Sequence, residues 1–446
     1  MASAAEQLAA NINFSAFSKA TELHQRLWFT LLALIVYRLG TFIPIPGIDA
    51  TAFAQLFQGQ SKGILGMVDM FSGGAVQRMA VFALNVMPYI SASIIVQLLG
   101  TVYPPWEKLR KEGGEAGRKQ MNQYTRYLTV ALALFQSFGI AVGINNPSFV
   151  YAPGPFFIVS TMATLTGGTL FLMWLGEQIT ARGVGNGVSL IIMSGIVARL
   201  PSGIANLLSS ARVGSLNPSI LAVVAIGAPA IIAFIVFIER SQRRILIQYP
   251  KRQMGNRMFG GETSFMPLKL NTAGVIPPIF ASSLLLMPAT AVALIKHWPP
   301  FFSWVPTAVG QLQHGQPTFM ILYALLIVFF SFFYTSIVFP PDDTAENLRK
   351  YGGFLPGIRP GRRTAEYLDY VMTRLTVIGA AYITVVCLIP ELLMSQVGTQ
   401  LAFGGTSILI MVTVTIDTWT QIQSHLLQHQ YEGLIRKSKL RGGRRR

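Results

Sequence analysis

The sequence contains little charge and a single cysteine. Charged residues make up 12% of its 446 residues and hydrophobic residues 52%, whereas ordinary soluble domains contain about 25% charged residues. This composition indicates a protein with many membrane spans rather than a soluble domain. Because Cys387 is the only cysteine, an internal disulfide and a cysteine metal cluster are both excluded.

Motifs for catalysis and for cofactors are missing as well. The sequence has no Gly-x-x-x-x-Gly-Lys-Ser/Thr loop, and therefore no recognisable nucleotide-driven motor. Gly-Val-Gly-Asn-Gly at 183–187 resembles a phosphate-binding loop only superficially, because no strand precedes it, and it predicts a re-entry turn. His425 and His429 are four residues apart but lack the glutamate of a zinc-protease helix. We therefore expect no cofactor, no metal and no enzymatic activity.

Ten stretches are apolar and long enough, at about 20 residues each, to cross a membrane as helices. They lie near residues 22–43, 77–98, 124–143, 155–178, 187–208, 218–238, 272–296, 317–338, 371–393 and 402–424. An even number of spans places both termini on the same side. The predicted fold class is thus an all-α polytopic membrane protein.

The net charge of +17 is distributed very unevenly over this topology. Of the 35 Lys and Arg residues, 29 fall on the side of the termini and five on the opposite side, with Arg38 inside the first span. Loops that remain in the cytoplasm carry the excess of positive charge. Both termini are therefore predicted to be cytoplasmic.

Acidic residues are nearly absent from the predicted spans. Only Glu177 and Asp417 approach span interiors, both toward the cytoplasmic ends, and Arg38 lies near a helix end from which it can snorkel to the interface. Transporters driven by ion gradients normally carry ionisable groups within the membrane. The sequence therefore argues against transport coupled to an ion gradient.

The second span is preceded by an interrupted apolar segment. Ile64 to Phe71 is short and apolar, and Ser72, Gly73, Gly74, Gln77 and Arg78 separate it from the run that begins at Met79. Backbone that is freed at a Gly-Gly break cannot remain unpaired in hydrocarbon. Residues 64–99 are therefore predicted to lie inside protein or to line a pathway through the membrane.

The polar stretch 209–218 divides the chain into two predicted halves, 1–210 and 211–430, followed by a basic tail, 431–446. Five spans in each half would make the halves inverted relative to each other, a common plan for membrane pathways. Two cytoplasmic loops, 239–270 and 340–370, are long and rich in arginine. Such loops either dock partners with acidic or phosphate groups or only enforce topology. The tail suits anionic lipid, and the same charges would suit ribosomal RNA.

Nine collinear stretches resemble the SecY family, the central subunit of the bacterial protein-conducting channel, over essentially the whole chain. They are FIPIPGID (42–49), DMFSGGAVQR (69–78), MPYISASI (87–94), EGGEAGRKQMNQYTRY (112–127), FLMWLGEQITARGVGNGVS (171–189), PLKLNTAGVIPPIFASS (267–283), GFLPGIRPGRRTAEYL (353–368), MTRLT (372–376) and FGGTSILI (403–410). The resemblance implies two five-helix halves around a central pore, with a short plug helix.

The resemblance also implies roles for individual residues. The pore constriction of the family falls on six apolar residues, here called the ring: Val86, Ile90, Val188, Ile192, Ile279 and Ile410. The plug falls on residues 64–74, within which we select Ile64, Met67, Met70, Phe71, Ser72, Gly73 and Gly74. A lateral gate is implied between two pairs of spans, with the second and third spans on one side and the seventh and eighth on the other. The Gly-Gly break would then act as a hinge between the plug and the second span.

Partners follow from the same resemblance. The positions expected to bind a motor or a ribosome are Arg240, Arg243, Arg244, Arg252, Arg257, Arg359 and Arg362. Asn256 stands where relatives carry an arginine, so this position is not assigned to binding. The implied partners are SecE- and SecG-like small membrane subunits, a SecA-like motor ATPase, the ribosome, secretory preproteins and nascent membrane proteins, anionic lipids and a SecDF/YidC-type accessory complex.

These observations predict a passive channel for unfolded polypeptides in the bacterial inner membrane, driven by a partner. A secondary transporter for a small solute is the alternative from another class. It would need polar or ionisable ligands at the middle of the membrane, and the spans offer almost none. A passive scaffold for membrane assembly would leave the glycine-broken segment unexplained.

Overall fold

A computed structural model describes residues 21–60, 69, 71–147, 150–213, 218–249, 252–254, 257–259, 263–294, 310, 316–397 and 404–442. Contacts between residues divide the chain into two compact units. The first unit contains Met1–Pro201 and Val414–Arg446, and the second contains Ser202–Thr413. The predicted boundary at residue 210 and the separate status of the tail stay predictions.

Most of the described chain is helical. In order, the helices are α1 (Thr21–Gly40), α2 (Ala50–Gln60), α3 (Met87–Val102), α4 (Pro104–Glu112), α5 (Gly114–Ile144), α6 (Pro155–Arg182), α7 (Gly187–Arg212), α8 (Pro218–Arg240), α9 (Ile276–Leu294), α10 (Pro317–Val338), α11 (Pro341–Lys350), α12 (Arg362–Val397) and α13 (Gly405–Gly442). Each of the ten predicted spans overlaps one of the longer helices.

Length and hydropathy identify five stretches within the described residues that can cross a membrane on their own: Gly114–Ile144, Pro155–Arg182, Gly187–Arg212, Pro317–Lys350 and Arg362–Pro390. Met87–Val102 and Ile276–Leu285 are shorter apolar helices. Large apolar side chains stand exposed along several helices, among them Trp28, Phe156 and Ile321. Such exposure suits contact with lipid or with membrane partners rather than with water.

The second span begins later than predicted. Its helix starts at Met87 rather than near residue 77. Met79 (φ 46°) and Asn85 (φ 51°) adopt left-handed backbone conformations that interrupt a helix. The stretch is instead bonded to the chain that follows α1, because Ile45 N donates to Met79 O (2.9 Å) and Val81 N donates to Ile43 O (2.9 Å). The expected break therefore extends across residues 71–86; these residues together with Asp69 are here called the broken segment.

Glycines allow α1 and α6 to approach the broken segment closely. A Cβ atom on Gly168 of α6 would lie 2.3 Å from Val81 O, which is closer than real Cβ contacts allow. The Phe82 ring stacks between Tyr37 and Phe171, with centroid distances of 6.2 and 5.8 Å. Residues of the broken segment also belong to one apolar cluster with the chain after α1 and with α5 and α6: Ile45, Ile48, Phe53, Val76, Met79, Ala83, Leu84, Ile144, Val150, Phe157 and Leu165.

The start of α2 shows why its helix begins where it does. Asp49 accepts hydrogen bonds from Thr51 Oγ1 (2.6 Å), from Thr51 N (2.9 Å) and from Ala52 N (3.3 Å). These bonds satisfy backbone donors of the first helical turn, as N-cap carboxylates do. The same bonds, the one from the Thr51 hydroxyl first, lower the pKa of Asp49.

The loop 239–270 contains strands, which were not predicted. Strand β1 (Gln242–Gln248) pairs antiparallel with β4 (Thr263–Lys269), in a register that places Gln242 opposite Lys269. Between them, β2 (Arg252–Met254) pairs antiparallel with β3 (Arg257–Phe259). Short strands of this kind give a weak signal, because their pairing depends on partners distant in sequence rather than on a local pattern.

Candidate functional site

Residues 71–73 are held by three side chains within the first unit, two from α1 and one from the end of the broken segment. Asn85 Nδ2 donates to Phe71 O (2.7 Å), Tyr37 Oη to Ser72 O (3.4 Å) and Arg38 Nη1 to Gly73 O (3.0 Å). Three consecutive carbonyl groups are thus paired inside protein. This arrangement satisfies the backbone that the Gly-Gly break frees, as the sequence requires. It also corrects the prediction for Arg38, whose guanidinium reaches inward instead of snorkelling.

A buried carboxylate lies next to these carbonyl groups. The side chain of Asp69 is 0% exposed and forms an ion pair with Arg199 of α7. Gln77 N donates to Asp69 Oδ1 (2.8 Å), and Arg199 Nη2 also donates to Gln77 Oε1 (3.0 Å). One guanidinium therefore binds side chains at both ends of the turn from residue 69 to residue 77. The sequence prediction did not single out either member of this pair.

Two further guanidinium groups lie at the same place. The Arg78 guanidinium lies 4.1 Å from the centroid of the Phe42 ring, and that of Arg38 lies 5.2 Å from it. Cations over an aromatic face are attracted by the ring quadrupole. Arg38 and Arg78 thus share the Phe42 ring. Arg78 and Arg199 both approach Gly74, where an added Cβ would lie 3.7 Å from each guanidinium group.

Backbone contact between α7 and the broken segment depends on two glycines. A Cβ atom on Gly195 would lie 2.6 Å from Phe71 O and 3.3 Å from Gly73 N. Gly73 has φ +66°, and a Cβ atom there would lie 2.9 Å from Gly195 Cα. Only glycine permits this approach without a shift of the backbone. Ile192, Gly195 and Arg199 lie at i, i+3 and i+7, so α7 carries all three on one face.

The six ring residues are divided between the two units. Val86, Ile90, Val188 and Ile192 belong to the first unit, and Ile279 and Ile410 belong to the second. Val86, Ile90, Ile192 and Ile410 are buried, whereas Val188 and Ile279 are half-buried. Val86 O accepts a hydrogen bond from Ile90 N (3.0 Å), so these two residues are one helical turn apart. The role of the ring stays a prediction.

Part of the predicted plug lies outside the described residues. Ile64, Met67 and Met70 belong to that part, whereas Phe71 and Ser72 are buried. The positive φ angles of Gly73 and Gly74, +66° and +91°, place the expected break where the sequence has it. Whether this stretch is a plug and the break a hinge stays a prediction.

The two arginine-rich loops are joined in the second unit. Gln248 of β1 and Phe354 exchange two backbone hydrogen bonds, of 2.9 and 3.0 Å. Both loops also contribute to a single apolar cluster with α12: Ile245, Leu268, Leu355, Leu368, Val371, Met372 and Leu375. We call this folded region the loop platform. Its shared core gives the loops a defined structure beyond what topology alone requires.

Five of the seven predicted partner-binding arginines are exposed on the loop platform: Arg240, Arg243, Arg244, Arg359 and Arg362. Arg362 Nε also forms a surface ion pair with Glu366 (3.2 Å). Arg252 and Arg257 belong to β2 and β3, and their side chains lie outside the described ones, as does Asn256. Partner binding by these arginines stays a prediction.

A second buried carboxylate was missed from the sequence. Glu239, next to the end of α8, is 7% exposed and accepts a hydrogen bond from Asn271 Nδ2 (2.7 Å). Asn271 Oδ1 also accepts from Gly274 N (3.0 Å), in the turn before α9. Neither Asp69 nor Glu239 was predicted from the sequence, because burial inside protein does not follow from position relative to the predicted spans. Glu177 itself forms an exposed pair with Arg126 (2.7 Å).

The described side chains contain no cluster of three or more His, Cys, Asp or Glu residues that could hold a metal ion. Cys387 is buried.

Known proteins resemble the chain along nearly its whole length. The family model for SecY matches residues 80–419. A protein translocase subunit SecY of Rickettsia felis is 52% identical over 434 residues, which cover 96% of this chain and 99% of the relative. The chain belongs to the SecY family. The SecY subunit of Escherichia coli K12 is 51% identical over 428 residues, which cover 94% of this chain and 96% of that protein.

Solved structures of SecY-type channels share the fold. A structure described as a protein conducting channel aligns with a TM-score of 0.63 at 17% identity, covering 90% of this chain and 92% of its own. A SecY structure whose plug domain is described as stabilising the closed state aligns with a TM-score of 0.64. Canine Sec61, from a ribosome-channel complex, aligns with a TM-score of 0.61. The predicted all-α polytopic architecture of ten helices is confirmed.

Membership of the SecY family also confirms the predicted class of function. The chain is a protein translocase subunit, a channel protein with several membrane helices, and not an enzyme. The relatives give no support to the alternative, a secondary transporter for a small solute. The resemblance that the nine sequence stretches indicated is therefore correct.

Proposed function

We propose that this SecY-family chain forms the pore through which unfolded secretory polypeptides cross the bacterial inner membrane. Membrane segments would leave the pore sideways, through a lateral gate between the second and third and the seventh and eighth spans. Both termini lie in the cytoplasm in this proposal. The 29-to-5 distribution of basic residues supports that orientation.

One observation carries the proposal most directly. A polar, glycine-broken segment is packed inside the first unit against α7, and its carbonyl groups at residues 71–73 are bonded to Asn85, Tyr37 and Arg38. A simple membrane anchor does not need such a segment, because pairing its backbone requires many surrounding side chains. A stopper that closes a pathway, and that moves out of it when the pathway opens, does need one. We assign that role to residues 64–74.

The ring supplies the seal in this proposal. Its members are Val and Ile only, and apolar side chains offer no hydrogen bonds to water or ions. A narrow apolar constriction therefore resists wetting when closed. It can also widen around a passing polypeptide without binding any particular sequence tightly. A conduit for many different secretory proteins requires this combination.

The loop platform would bind the partner that supplies energy. Its exposed arginines are suited to the acidic groups of a SecA-like motor ATPase and to the phosphates of ribosomal RNA. SecE- and SecG-like subunits would complete the complex in the membrane, and a SecDF/YidC-type complex would join it as an accessory. The sequence itself has no nucleotide-binding loop, so the proposed pore is passive. The basic tail would meet anionic lipid at the cytoplasmic surface.

Crosslinking of a stalled secretory chain tests the proposed pathway. In a Cys387→Ala background, single cysteines replace the ring residues one at a time, and Val159→Cys and Ile226→Cys serve as controls. Val159 and Ile226 are exposed side chains on α6 and α8, 64% and 73% exposed, of the same types as the ring residues. Crosslinks at the ring positions should exceed the controls at least fivefold. Equal labelling at ring and control positions would refute the pathway.

A further inference from the structure

The face of α7 that carries Ile192 continues into the contact with the broken segment. Gly195 lies three residues beyond Ile192 and touches the backbone of Phe71 and Gly73. Arg199 lies four residues farther and forms the ion pair with Asp69. A ring residue, a close backbone contact and a charged contact thus share one helix face. Any movement of the broken segment away from α7 must separate the ion pair.

Asp69 depends on its partner, Arg199, because the Asp69 carboxylate is removed from water. The carboxylate is fully buried, whereas the Arg199 side chain is 31% exposed. A buried carboxylate is costly unless charges and hydrogen bonds compensate for lost water. Arg199 supplies the opposite charge and Gln77 N supplies a hydrogen bond of 2.8 Å. Arg199 also bonds Gln77 Oε1, so the same guanidinium fixes both ends of the turn.

The charges at this site are unequal in number. Arg38 bonds to the broken segment, Arg78 belongs to it, and Asp69 forms an ion pair with Arg199. Loss of the carboxylate would leave three guanidinium groups that repel one another. Loss of Arg199 would leave the fully buried carboxylate without its ion-pair partner, which is also costly. Neutralising either residue should therefore disturb the closed arrangement.

We propose that Arg199 is a positioning residue that holds the broken segment closed through its ion pair with Asp69. The pair is an electrostatic latch, and the cost of separating it sets how often the resting channel opens. This inference rests on the proposed function, because it assumes that the segment stops the pore. It adds Arg199, a residue of α7 (the fifth predicted span), to the elements that keep the channel shut.

The test uses the complete translocase complex in proteoliposomes and measures the decay of an imposed ion gradient. Asp69→Asn and Arg199→Gln should each raise the resting leak at least tenfold. Arg199→Lys keeps the charge and should stay within twofold of the unmodified complex. The double variant Asp69→Asn/Arg199→Gln should leak less than Asp69→Asn alone, because it removes one of the three guanidinium groups that repel one another. A residue with only a structural role would not show this charge-specific rescue.

Two control variants distinguish the proposed latch from the proposed pore. Glu177→Gln removes the exposed pair with Arg126 in the same unit and should leave the leak unchanged. Ile90→Ser alters the ring and should raise the leak whether or not the latch exists. If Ile90→Ser leaks while Asp69→Asn and Arg199→Gln do not, the latch is refuted and the pore stands. If none of the three leaks, the proposed pore is itself wrong.

Labelling of Ser72→Cys with a water-soluble maleimide provides a second measurement. Ser72 is 0% exposed, so it should react slowly in the closed complex and at least tenfold faster with Asp69→Asn. The native thiol, Cys387, is buried and serves as an internal reference for folding. Rapid reaction at Ser72→Cys with slow reaction at Cys387 supports the latch. Unchanged reaction at Ser72→Cys in the Asp69→Asn complex overturns it.

Discussion

Gly195→Ala perturbs the closed arrangement by a single methyl group. The added Cβ would lie 2.6 Å from Phe71 O and 3.0 Å from Tyr37 Oη. The carbonyl oxygen is fixed by its hydrogen bond from Asn85 Nδ2 (2.7 Å), and the methyl group is fixed by the helix. Neither the carbonyl oxygen nor the methyl group can move alone at a low cost in energy, so either α7 or the broken segment has to shift.

The expected magnitude follows from the costs of overpacking. Extra methyl or methylene groups in packed sites typically cost about 1–3 kcal/mol. The intrinsic gain of about 1 kcal/mol when Ala replaces Gly in a helix acts equally with the segment closed or released, and so cancels. Only the clash changes the balance between the two arrangements. A shift of about 1–3 kcal/mol corresponds to a factor of roughly 5–150 in that equilibrium.

Resting ion leak of reconstituted channels measures this balance, and the thermal stability of the purified complex checks folding. Gly167→Ala is the matched control, because a Cβ on this exposed glycine of α6 would meet nothing within 4 Å. Gly195→Ala should raise the leak between about five- and 150-fold at nearly unchanged stability, while Gly167→Ala should not. A leak equal in the two variants would show that the close contact of Gly195 has no part in keeping the channel shut.

Three further substitutions address the ring, the start of α9 and the loop platform. Ile192→Ser should raise the resting leak, because a hydroxyl favours wetting of the constriction; an unchanged leak would count against the ring assignment. Asn271→Leu removes the amide that donates to Glu239 and should lower the stability of the complex by about 1.5–3 kcal/mol, measured by denaturant unfolding; a loss below about 0.5 kcal/mol would show that this bond matters little. Arg359→Glu should weaken binding of the motor or ribosome about tenfold in a sedimentation assay, or about 1.4 kcal/mol, while Arg212→Glu, an exposed charge predicted on the opposite side, should not.

Hydropathy predicted the long helices well because the membrane imposes a strong local rule. A helix that meets lipid must be apolar over about 20 consecutive residues, and this shows in any short window of sequence. The prediction of where α3 starts was wrong for the same reason. Residues 79–86 are apolar like a span, yet pairing with residues 43–45 and left-handed backbone at Met79 and Asn85 hold them out of a helix. Gly73 and Gly74 predicted a break in the helix, but they did not predict that the break continues to residue 86.

The charged contacts could not be predicted from local pattern. Arg199 and Gln77 are 122 positions apart, and Arg38 and Gly73 are 35 apart. Sorting charges by side of the membrane placed Arg78 and Arg199 together, but it could not show that Asp69 lies between them. One signal was available in α7, where Ile192, Gly195 and Arg199 recur at helical spacing. An arginine on the same face as a ring residue and a glycine indicates a contact with protein rather than with lipid.

The contacts that hold the broken segment suit a part that has to be released. Each of the carbonyl groups at residues 71–73 exchanges a protein donor for water when it leaves, at a net cost of only about 0.5–1.5 kcal/mol per bond. Large apolar side chains in the same positions would cost about 1.5–3 kcal/mol each on exposure to water. Polar contacts therefore keep most of the segment in one place at a modest cost of release. Two buried side chains are the exceptions: Phe71, which is 4% exposed and would cost about 1.5–3 kcal/mol on exposure to water, and Asp69, whose charge cannot be separated from Arg199 cheaply until water reaches it. The cost of opening should therefore concentrate in these two side chains, and hydration of Asp69 should be the step that commits the segment to leave.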